Sequence, residues 1–198
     1  MNKTKPIFVA GLFAGLLAPG LVLADASDFN YVEASYQQGE VDDVDVDGFG
    51  IKASLEFIDR FLAVASYTDL GLEDSSPGFD LEGDTTTIGL GYIFGQNETA
   101  SVYGTVSYIE SSYRGRIGGI GFRDDDEGAQ FELGARMNVG PQAEFYLAVT
   151  HTDLGSDNSD TAPSAGLVYQ FLPALAGTLS YSRTSDYDRL GLGLRFNF

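Results

Sequence analysis

Apolar residues recur at every second position in many segments of this 198-residue chain, and the positions between them are small or polar. In the segment AQFELGARMN, residues 129–138, every odd-numbered residue is apolar and every even-numbered residue is polar or glycine. Successive side chains of a β-strand point to opposite faces, so a period of two predicts a strand. No sustained helical period follows the N-terminal region. The sequence therefore predicts an all-β fold.

Ten segments show this alternation. They are residues 30–37, 49–57, 61–68, 87–94, 101–108, 129–138, 145–150, 166–171, 175–182 and 190–198. An even number of alternating segments of roughly ten residues is typical of a transmembrane β-barrel. The facing of segment 61–68 is ambiguous, because Leu62 and Val64 are apolar on the face assigned to the interior. We predict a closed antiparallel barrel of ten strands, in which the first and last segments pair because an open edge is not viable in lipid. An eight-stranded barrel is the alternative.

The N-terminus has the layout of a secretory signal peptide. Two lysines precede an apolar run that ends in small residues suited to cleavage. We expect residues 1–24 to be removed, with cleavage after Ala26 as an alternative, and residues 25–198 to form the barrel. A membrane anchor is the competing interpretation, but a Pro-Gly pair interrupts the run, which is shorter than the roughly 20 residues that a spanning helix needs. The chain has no cysteine, which excludes disulfides, thiolate metal sites and a lipid-modified cysteine.

The charge of the chain is strongly acidic and unevenly distributed. The formal net charge is -18, and removing the two lysines of the signal from the 11 basic residues leaves about -20. Such a balance excludes nucleic acid as a partner, because phosphate binding needs clustered Lys and Arg. Of the 29 acidic residues, 21 lie in five longer connections. These are residues 38–47, 69–84, 109–127, 152–163 and 184–188, and the short connections are 58–60, 95–98, 140–143 and 172–173. In an outer-membrane barrel the long loops are extracellular, and the short turns and both termini are periplasmic.

A water-soluble barrel would turn its apolar face inward and its polar face to water. Here the apolar face carries aromatic residues near both ends of the segments. They are Phe57, Phe61, Tyr92, Phe94, Phe145, Tyr169, Phe171 and Phe198 at one level, and Tyr36, Phe49, Tyr67, Tyr108 and Tyr181 at the other. Two aromatic belts bracket a bilayer. The pattern therefore favours the outer membrane over a soluble barrel.

An acidic motif, D-x-D-x-D, precedes the second strand at Asp43, Asp45 and Asp47. An EF-hand loop would need a bidentate carboxylate at its twelfth position, which is Ser54, and a helix after the loop. Strand alternation follows instead. We expect these carboxylates at the outer rim, where they would bind calcium or magnesium weakly, together with lipopolysaccharide. A solvated acidic surface is the alternative, and no other cofactor is expected.

Six charged residues have inward parity. They are Glu33, Glu56 and Glu132 on the acidic side and Lys52, Arg136 and Arg195 on the basic side. We expect the bases to form salt bridges with the acids, because an unpaired charge away from water is costly. A charged constriction that selects ions is the alternative. Inward glycines would leave room for a thin water path, although we favour a closed lumen.

The loops carry one basic patch, formed by Arg114, Arg116 and Arg123. It has two interpretations. The arginines can pair locally with the carboxylates of residues 124–126, or they can contact the phosphates of lipopolysaccharide or an acidic host glycan.

The last strand, LGLGLRFNF, resembles the C-terminal signal of outer-membrane barrels, with aromatic residues at Phe196 and Phe198. This resemblance implies recognition by the barrel assembly machinery. More narrowly, FNYVEASY from Phe29 and DVDGFGIKAS from Asp45 resemble the small barrels of the Ax twenty-one family. OmpX-like and OmpA-like barrels, with eight strands, are broader relatives. The resemblance implies an outer-membrane surface protein associated with biofilm, virulence or vesicle phenotypes, and it implies no catalytic residues.

Three functions fit the sequence. The first is a monomeric, non-enzymatic surface barrel that contributes to envelope integrity and to adhesion or biofilm. The second is a small passive, porin-like channel. The third is a surface hydrolase of the omptin type, which would need the only histidine, His151, and the nearby Asp153 above the lumen. His151 has outward parity, so the sequence disfavours the hydrolase.

Overall fold

The computed structural model describes residues 29–41, 44–72, 79–117, 120–155, 159–184 and 187–198. Both expected cleavage sites of the signal, after Ala24 and after Ala26, lie outside these ranges. The described residues form a closed barrel of ten antiparallel strands, in which each strand pairs with its neighbours in sequence. No helix long and apolar enough to cross a bilayer occurs among them.

The strands include residues that the alternation predicted and extend beyond them. Their bounds are β1 Tyr31–Val41, β2 Val44–Ile58, β3 Phe61–Leu72, β4 Phe79–Gln96, β5 Ala100–Ile117, β6 Ile120–Asn138, β7 Ala143–Asp153, β8 Ser159–Leu172, β9 Leu175–Arg183 and β10 Tyr187–Asn197.

The barrel closes between β1 and β10, as predicted. Their antiparallel register runs from Tyr31 opposite Asn197 to Val41 opposite Tyr187. Beyond the last ladder pair, the amide of Phe198 donates a hydrogen bond to the carbonyl oxygen of Asn30 at 3.1 Å. Closure leaves neither strand with an open edge, which is the condition for a sheet in lipid.

The two ends of the barrel differ. The turn end carries the short connections and both ends of the described chain, Phe29 and Phe198. The loop end carries the longer hairpins. The connections 38–47 and 109–127 were predicted as loops, and both predictions were wrong. β1 continues to Val41 and β2 begins at Val44, and β5 continues to Ile117 and β6 begins at Ile120. Apolar alternation stops where lipid stops, whereas the hydrogen-bonded ladder continues with polar side chains.

The outer face is apolar and open to its surroundings. Phe49, Ile88 and Leu133 are 67%, 64% and 59% exposed. At the turn end, the rings of Phe61 and Tyr92 pack edge to face with centroids 5.0 Å apart. A continuous exposed apolar band between aromatic rings is the surface of a protein that lies in lipid.

The ambiguous segment 61–68 has the facing that was assigned to it. Leu62 points inward and is 1% exposed, and it packs in a buried cluster with Phe29, Ile93 and Tyr103. Val64 packs against this cluster. The unusual apolar residues on the interior face of β3 are therefore the wall of an apolar core inside the lumen.

This core predicts a stability difference between two inward positions of β3. Leu62→Ala should lower the free energy of unfolding by about 2 to 5 kcal/mol, because it leaves a cavity among fixed neighbours. Thr68→Ala, farther toward the loop end, should change it by no more than about 0.5 kcal/mol. Urea unfolding in lipid vesicles measures both. Equal losses in the two variants would show that the lumen has no packed core at Leu62.

Candidate functional site

The lumen at the turn end is filled by two arginines and three aromatic rings. The guanidinium carbon of Arg136 lies 4.2 Å from the ring centroid of Phe29, 5.3 Å from that of Tyr31 and 5.5 Å from that of Tyr103. One of its nitrogens, Nη2, donates a hydrogen bond to the hydroxyl of Tyr31 at 3.2 Å. Cation–π contacts of this kind are strongest where water is excluded.

Arg195 completes the cluster. Its guanidinium carbon lies 4.0 Å from the ring centroid of Tyr31. Its Nη2 and Nε lie 2.8 and 2.9 Å from the same carboxylate oxygen of Glu33. In the ladder, Glu33 lies opposite both Arg195 and Lys52. The planar guanidinium can stack on Tyr31 while it binds the carboxylate, which an ammonium does less well.

We name Phe29, Tyr31, Tyr103, Arg136 and Arg195 the arginine–aromatic plug. Each of these five residues is at most 6% exposed. Phe29 precedes β1, and its ring meets that of Tyr103 edge to face with centroids 5.4 Å apart. The first described residue of the chain therefore lies inside the barrel. The plug occupies the lumen at the turn end.

Glu144 supplies a second negative charge to the plug. Its Oε1 lies 3.8 Å from Nη1 of Arg195 and 4.0 Å from Nε of Arg136. This oxygen is buried and has no hydrogen-bond partner, so its interaction with the two guanidinium groups is electrostatic. Sequence reasoning did not include Glu144 among the charged residues of the lumen. Its parity with the inward Tyr146 is the signal that could have revealed it.

Two inward glycines make room for rings, and not for the water path that the sequence allowed. A Cβ at Gly134 would lie 2.5 Å from the ring of Tyr103, its partner on β5. A Cβ at Gly166 would lie 2.4 Å from the ring of Tyr146, its partner on β7. At both positions the space is occupied by an aromatic side chain from the neighbouring strand.

Above the plug the lumen opens into a polar cavity of about 530 Å³, which we call the cup. Its floor includes Glu33, Lys52 and Glu132, and its lining reaches Ser159 and Tyr187 near the loop end. Twelve of its lining residues are serine or threonine. They are Ser35, Ser66, Thr68, Thr85, Thr87, Ser111, Thr150, Thr152, Ser159, Ser164, Ser180 and Ser182.

The predicted salt bridges form only in part. Arg195 binds Glu33 as expected, but Lys52 makes no ion pair within 4.0 Å among the described residues and is exposed to the cup. Arg195 takes the carboxylate that both bases face, and the ammonium of Lys52 interacts with the charge of Glu132 over more than 4.0 Å. Glu132 accepts a hydrogen bond from Thr150 Oγ1 at 3.4 Å.

Glu56 lies outside the charge network, contrary to the prediction. Its Oε1 accepts a hydrogen bond from the amide of Arg60 at 2.9 Å. Arg60 has a φ of 69° in the tight turn between β2 and β3, a conformation that costs a non-glycine residue free energy. Because Glu56 lies at the turn end of β2, its carboxylate reaches this turn and stabilises it.

The acidic motif is only partly described. Asp43 lies outside the described residues, and Asp45 is exposed. Asp47 Oδ2 accepts a hydrogen bond from the hydroxyl of Tyr36 at 2.7 Å. No group of three potential metal ligands occurs within the described part of the chain. Cation binding at this rim stays a prediction.

The basic patch lies on the extension of β5 and β6 beyond the barrel wall. Arg114 lies opposite Arg123 in the ladder, and the alternation gives both the parity of the lipid-facing residues. Arg123 Nε donates to both oxygens of Asp125, at 2.9 and 2.8 Å. This bond, together with one from Ser112, holds the pKa of the Asp125 carboxyl below its usual value. One part of the patch is therefore paired locally.

The other two arginines of the patch form weaker ion pairs or none among the described residues. Nη2 of Arg114 lies 3.8 Å from Asp84 in an exposed pair, which is worth little in water. Arg116 is exposed and forms no ion pair with any side chain that the structure describes. The two interpretations of the patch thus apply to different residues, with Arg123 paired and Arg116 available.

The histidine does not lie above the lumen. His151 is exposed on β7, and its Nδ1 lies 2.9 Å from the hydroxyl oxygen of Thr161 on β8. It shares parity with Val149, which is 49% exposed on the outer face. A proton-transfer pair directed into the cup would need the opposite facing.

Comparison with known proteins gives the family and the fold. The family model described as "Outer membrane protein beta-barrel domain" matches residues 8–171. No curated protein matches the sequence significantly. The chain resembles the outer membrane channel COG4313 from Pseudomonas putida F1, with 11% identity, a TM-score of 0.53 and coverage of 92% of this chain and 100% of that one.

Two other solved structures are similar. Ail, the attachment invasion locus protein of Yersinia pestis, solved in complex with the heparin analogue sucrose octasulfate, has 16% identity, a TM-score of 0.50 and coverage of 88% of this chain and 100% of that one. The NanC porin has 10% identity, a TM-score of 0.51 and coverage of 83% and 100%. At these identities the similarity concerns the fold.

Arg195 and Lys52 both lie opposite Glu33, so the stabilities of their alanine variants can be compared directly. Arg195→Ala should lower the free energy of unfolding by about 3 to 5 kcal/mol, because it leaves buried carboxylates without their partner. Lys52→Ala should cost less, about 1 kcal/mol, because no described carboxylate lies within 4.0 Å of this ammonium. Unfolding in urea measures both. A larger loss for Lys52→Ala than for Arg195→Ala would contradict the observed pairing.

Proposed function

Because the chain belongs to the outer membrane protein β-barrel domain family, we propose that it is a non-enzymatic surface barrel of the outer membrane with a non-conducting lumen. The arginine–aromatic plug is the observation that carries this proposal. In this role the barrel is a rigid support that presents its loop end to the surroundings. It would contribute to envelope integrity and to adhesion or biofilm.

The plug supports a closed barrel on energetic grounds. An ion that passed Arg136 would have to separate its guanidinium from the rings of Phe29 and Tyr103. It would also disturb the bond between Arg195 and Glu33. Breaking a buried pair of this kind costs about 3 to 5 kcal/mol, and the apolar wall at Leu62 and Ile93 offers an ion no ligands. A passive channel would need a continuous hydrated path.

We infer an orientation with the loop end outside the cell and both termini in the periplasm. The short turns at one end and the long acidic hairpins at the other support it, as does the arrangement common to bacterial barrels. Phe196 and Phe198 at the end of the chain are 53% and 60% exposed. Their exposure suits a strand that the barrel assembly machinery binds during insertion. A monomer is the expected state.

Lipopolysaccharide is the partner that the basic patch fits best. Arg114 and Arg116 are exposed with the parity of the lipid-facing residues, six and eight residues beyond Tyr108 of the outer aromatic belt. In the proposed orientation they lie roughly 20 Å or more along the strand beyond that belt, on the side of the membrane that carries lipopolysaccharide. Guanidinium groups bind phosphate with paired hydrogen bonds. The acidic rim at Asp45 and Asp47 would then need calcium or magnesium to bridge it to the same phosphates.

The narrower membership in the Ax twenty-one family is part of this proposal. It rests on the segments FNYVEASY and DVDGFGIKAS. The first of these contains Phe29, Tyr31 and Glu33, so it encodes part of the plug and its counter-ion. If the segment defines that family, the plug is a feature that its members share.

Conductance in planar bilayers tests the closed lumen. The wild-type protein should give no steady single-channel current. The double variant Phe29→Ala and Arg136→Ala should give stepwise current, because it removes a ring and a guanidinium from the middle of the plug. Arg183→Ala, on the exposed end of β9, should stay closed. Steady current through the wild-type protein would overturn the proposal and favour the passive channel.

Binding to vesicles tests the lipid contact. The double variant Arg114→Gln and Arg116→Gln should bind lipopolysaccharide-containing vesicles several-fold more weakly than wild type, and the difference should shrink as salt is raised. The single variant Arg116→Gln should also bind more weakly, and Arg60→Gln, which removes one charge at the opposite, turn end, should bind as wild type does. If these two single substitutions weaken binding alike, general charge and not the patch determines the affinity.

A further inference from the structure

The polar groups of the cup divide into two walls. On the wall formed by β3 to β8, they bond mostly to one another. Ser66 and Thr87 lie 2.7 Å apart, and Thr85 and Ser111 lie 3.1 Å apart. Gln130 Nε2 donates to the hydroxyl of Thr152 at 3.2 Å. These groups have partners without a ligand.

The wall formed by β9, β10, β1 and β2 is different. Ser180 and Ser182 on β9, Arg189 on β10 and Lys52 on β2 all line the cup. None of them forms a hydrogen bond or ion pair with another described side chain. Gln37 on β1 lies between them, and its Oε1 is buried without a hydrogen-bond partner. Buried polar atoms of this kind are rare unless another molecule satisfies them.

The free charges on this wall are both positive. Each carboxylate that lines the cup already accepts a hydrogen bond: Glu33 from Arg195, Glu132 from Thr150 and Asp160 from the amide of Thr161. Lys52 and Arg189 face no carboxylate within 4.0 Å, and Arg189 only approaches the ring of Tyr187 at 5.7 Å. In a chain of formal charge -18, the cup thus holds two cations that have no described carboxylate at ion-pair distance.

The ladder registers give the vertical arrangement of these groups. Lys52 lies opposite Glu33, and Arg189 lies opposite Gly39, six residues farther along β1. That separation is roughly 20 Å along the strand. Gln37 and Ser180 flank Gly191 between these levels. A molecule in the cup would therefore meet a cation at the floor, a hydroxyl and a carbonyl along the wall, and a second cation near the mouth.

We propose that the cup binds an anionic carbohydrate, a polyhydroxylated molecule with a carboxylate or phosphate group, along the wall of β9, β10, β1 and β2. Serine hydroxyls and the Gln37 carbonyl match sugar hydroxyls, which both donate and accept. Lys52 at the floor and Arg189 near the mouth each match an anionic group, and a monosaccharide reaches one of them at a time. A cavity of about 530 Å³ lies within the size range of small-molecule sites. The plug makes this a site that holds a ligand without passing it.

Calorimetry on the folded protein in detergent tests this site, with glucuronate, glucose 6-phosphate and glucose as probes and no lipopolysaccharide present. At least one of the two anions should bind about tenfold more tightly than glucose, as expected for a charge-assisted contact. The anion that binds identifies the group that the site prefers. Because no ion flow is measured, the result is independent of the conductance experiment.

Variants locate the site. Lys52→Gln combined with Arg189→Gln should weaken anion binding about tenfold or more. Arg183→Gln, at a similar height on β9 but with the opposite parity, should bind as wild type does. Folding of each variant is checked by the shift in gel mobility on heating, and an NMR shift of the Gln37 side-chain amide on titration reports contact directly. The proposal is overturned if neither anion binds better than glucose, or if the double variant binds as tightly as wild type.

Discussion

Closure of the sheet is the constraint on which the rest of this structure depends. In lipid, no water can satisfy an unpaired backbone amide or carbonyl group, so every strand between the aromatic belts must pair on both sides. The pairing of β1 with β10 meets this condition. In a closed barrel, alternate residues of each strand face the lipid and the lumen. Apolar residues can therefore occupy one face and charged residues the other.

A closed barrel encloses a lumen, and side chains of this chain fill its turn end. The two buried arginines are tolerated because rings and carboxylates surround them, with Arg195 bound to Glu33 and both guanidinium groups near Glu144. The rest stays polar and open as the cup. The inward-facing residues determine which part of the lumen is packed and which is open. Leu62 and Tyr103 lie at the turn end, whereas serines and threonines line the cup.

The sequence could predict the strands and their facing because lipid imposes a strict alternation. It could not predict which charges meet. Glu33 lies between Lys52 and Arg195, and parity alone does not say that the guanidinium binds it. Phe29 was also missed: it has the inward parity of Tyr31 and Glu33, but it precedes the first predicted strand. The extensions of β5 and β6 were missed because hydrogen-bonded pairing outside lipid needs no apolar pattern.

The central claim is that the plug separates the cup from the turn end, and directional labelling tests it most directly. The chain has no cysteine, so a single cysteine at Ser35, beside the floor of the cup, would be the only reactive thiol. In vesicles with the protein in one orientation, a charged maleimide should label this cysteine when it is added on the loop-end side and should fail to label it from the turn-end side. Equal labelling from both sides would show that the lumen is continuous and would contradict the account.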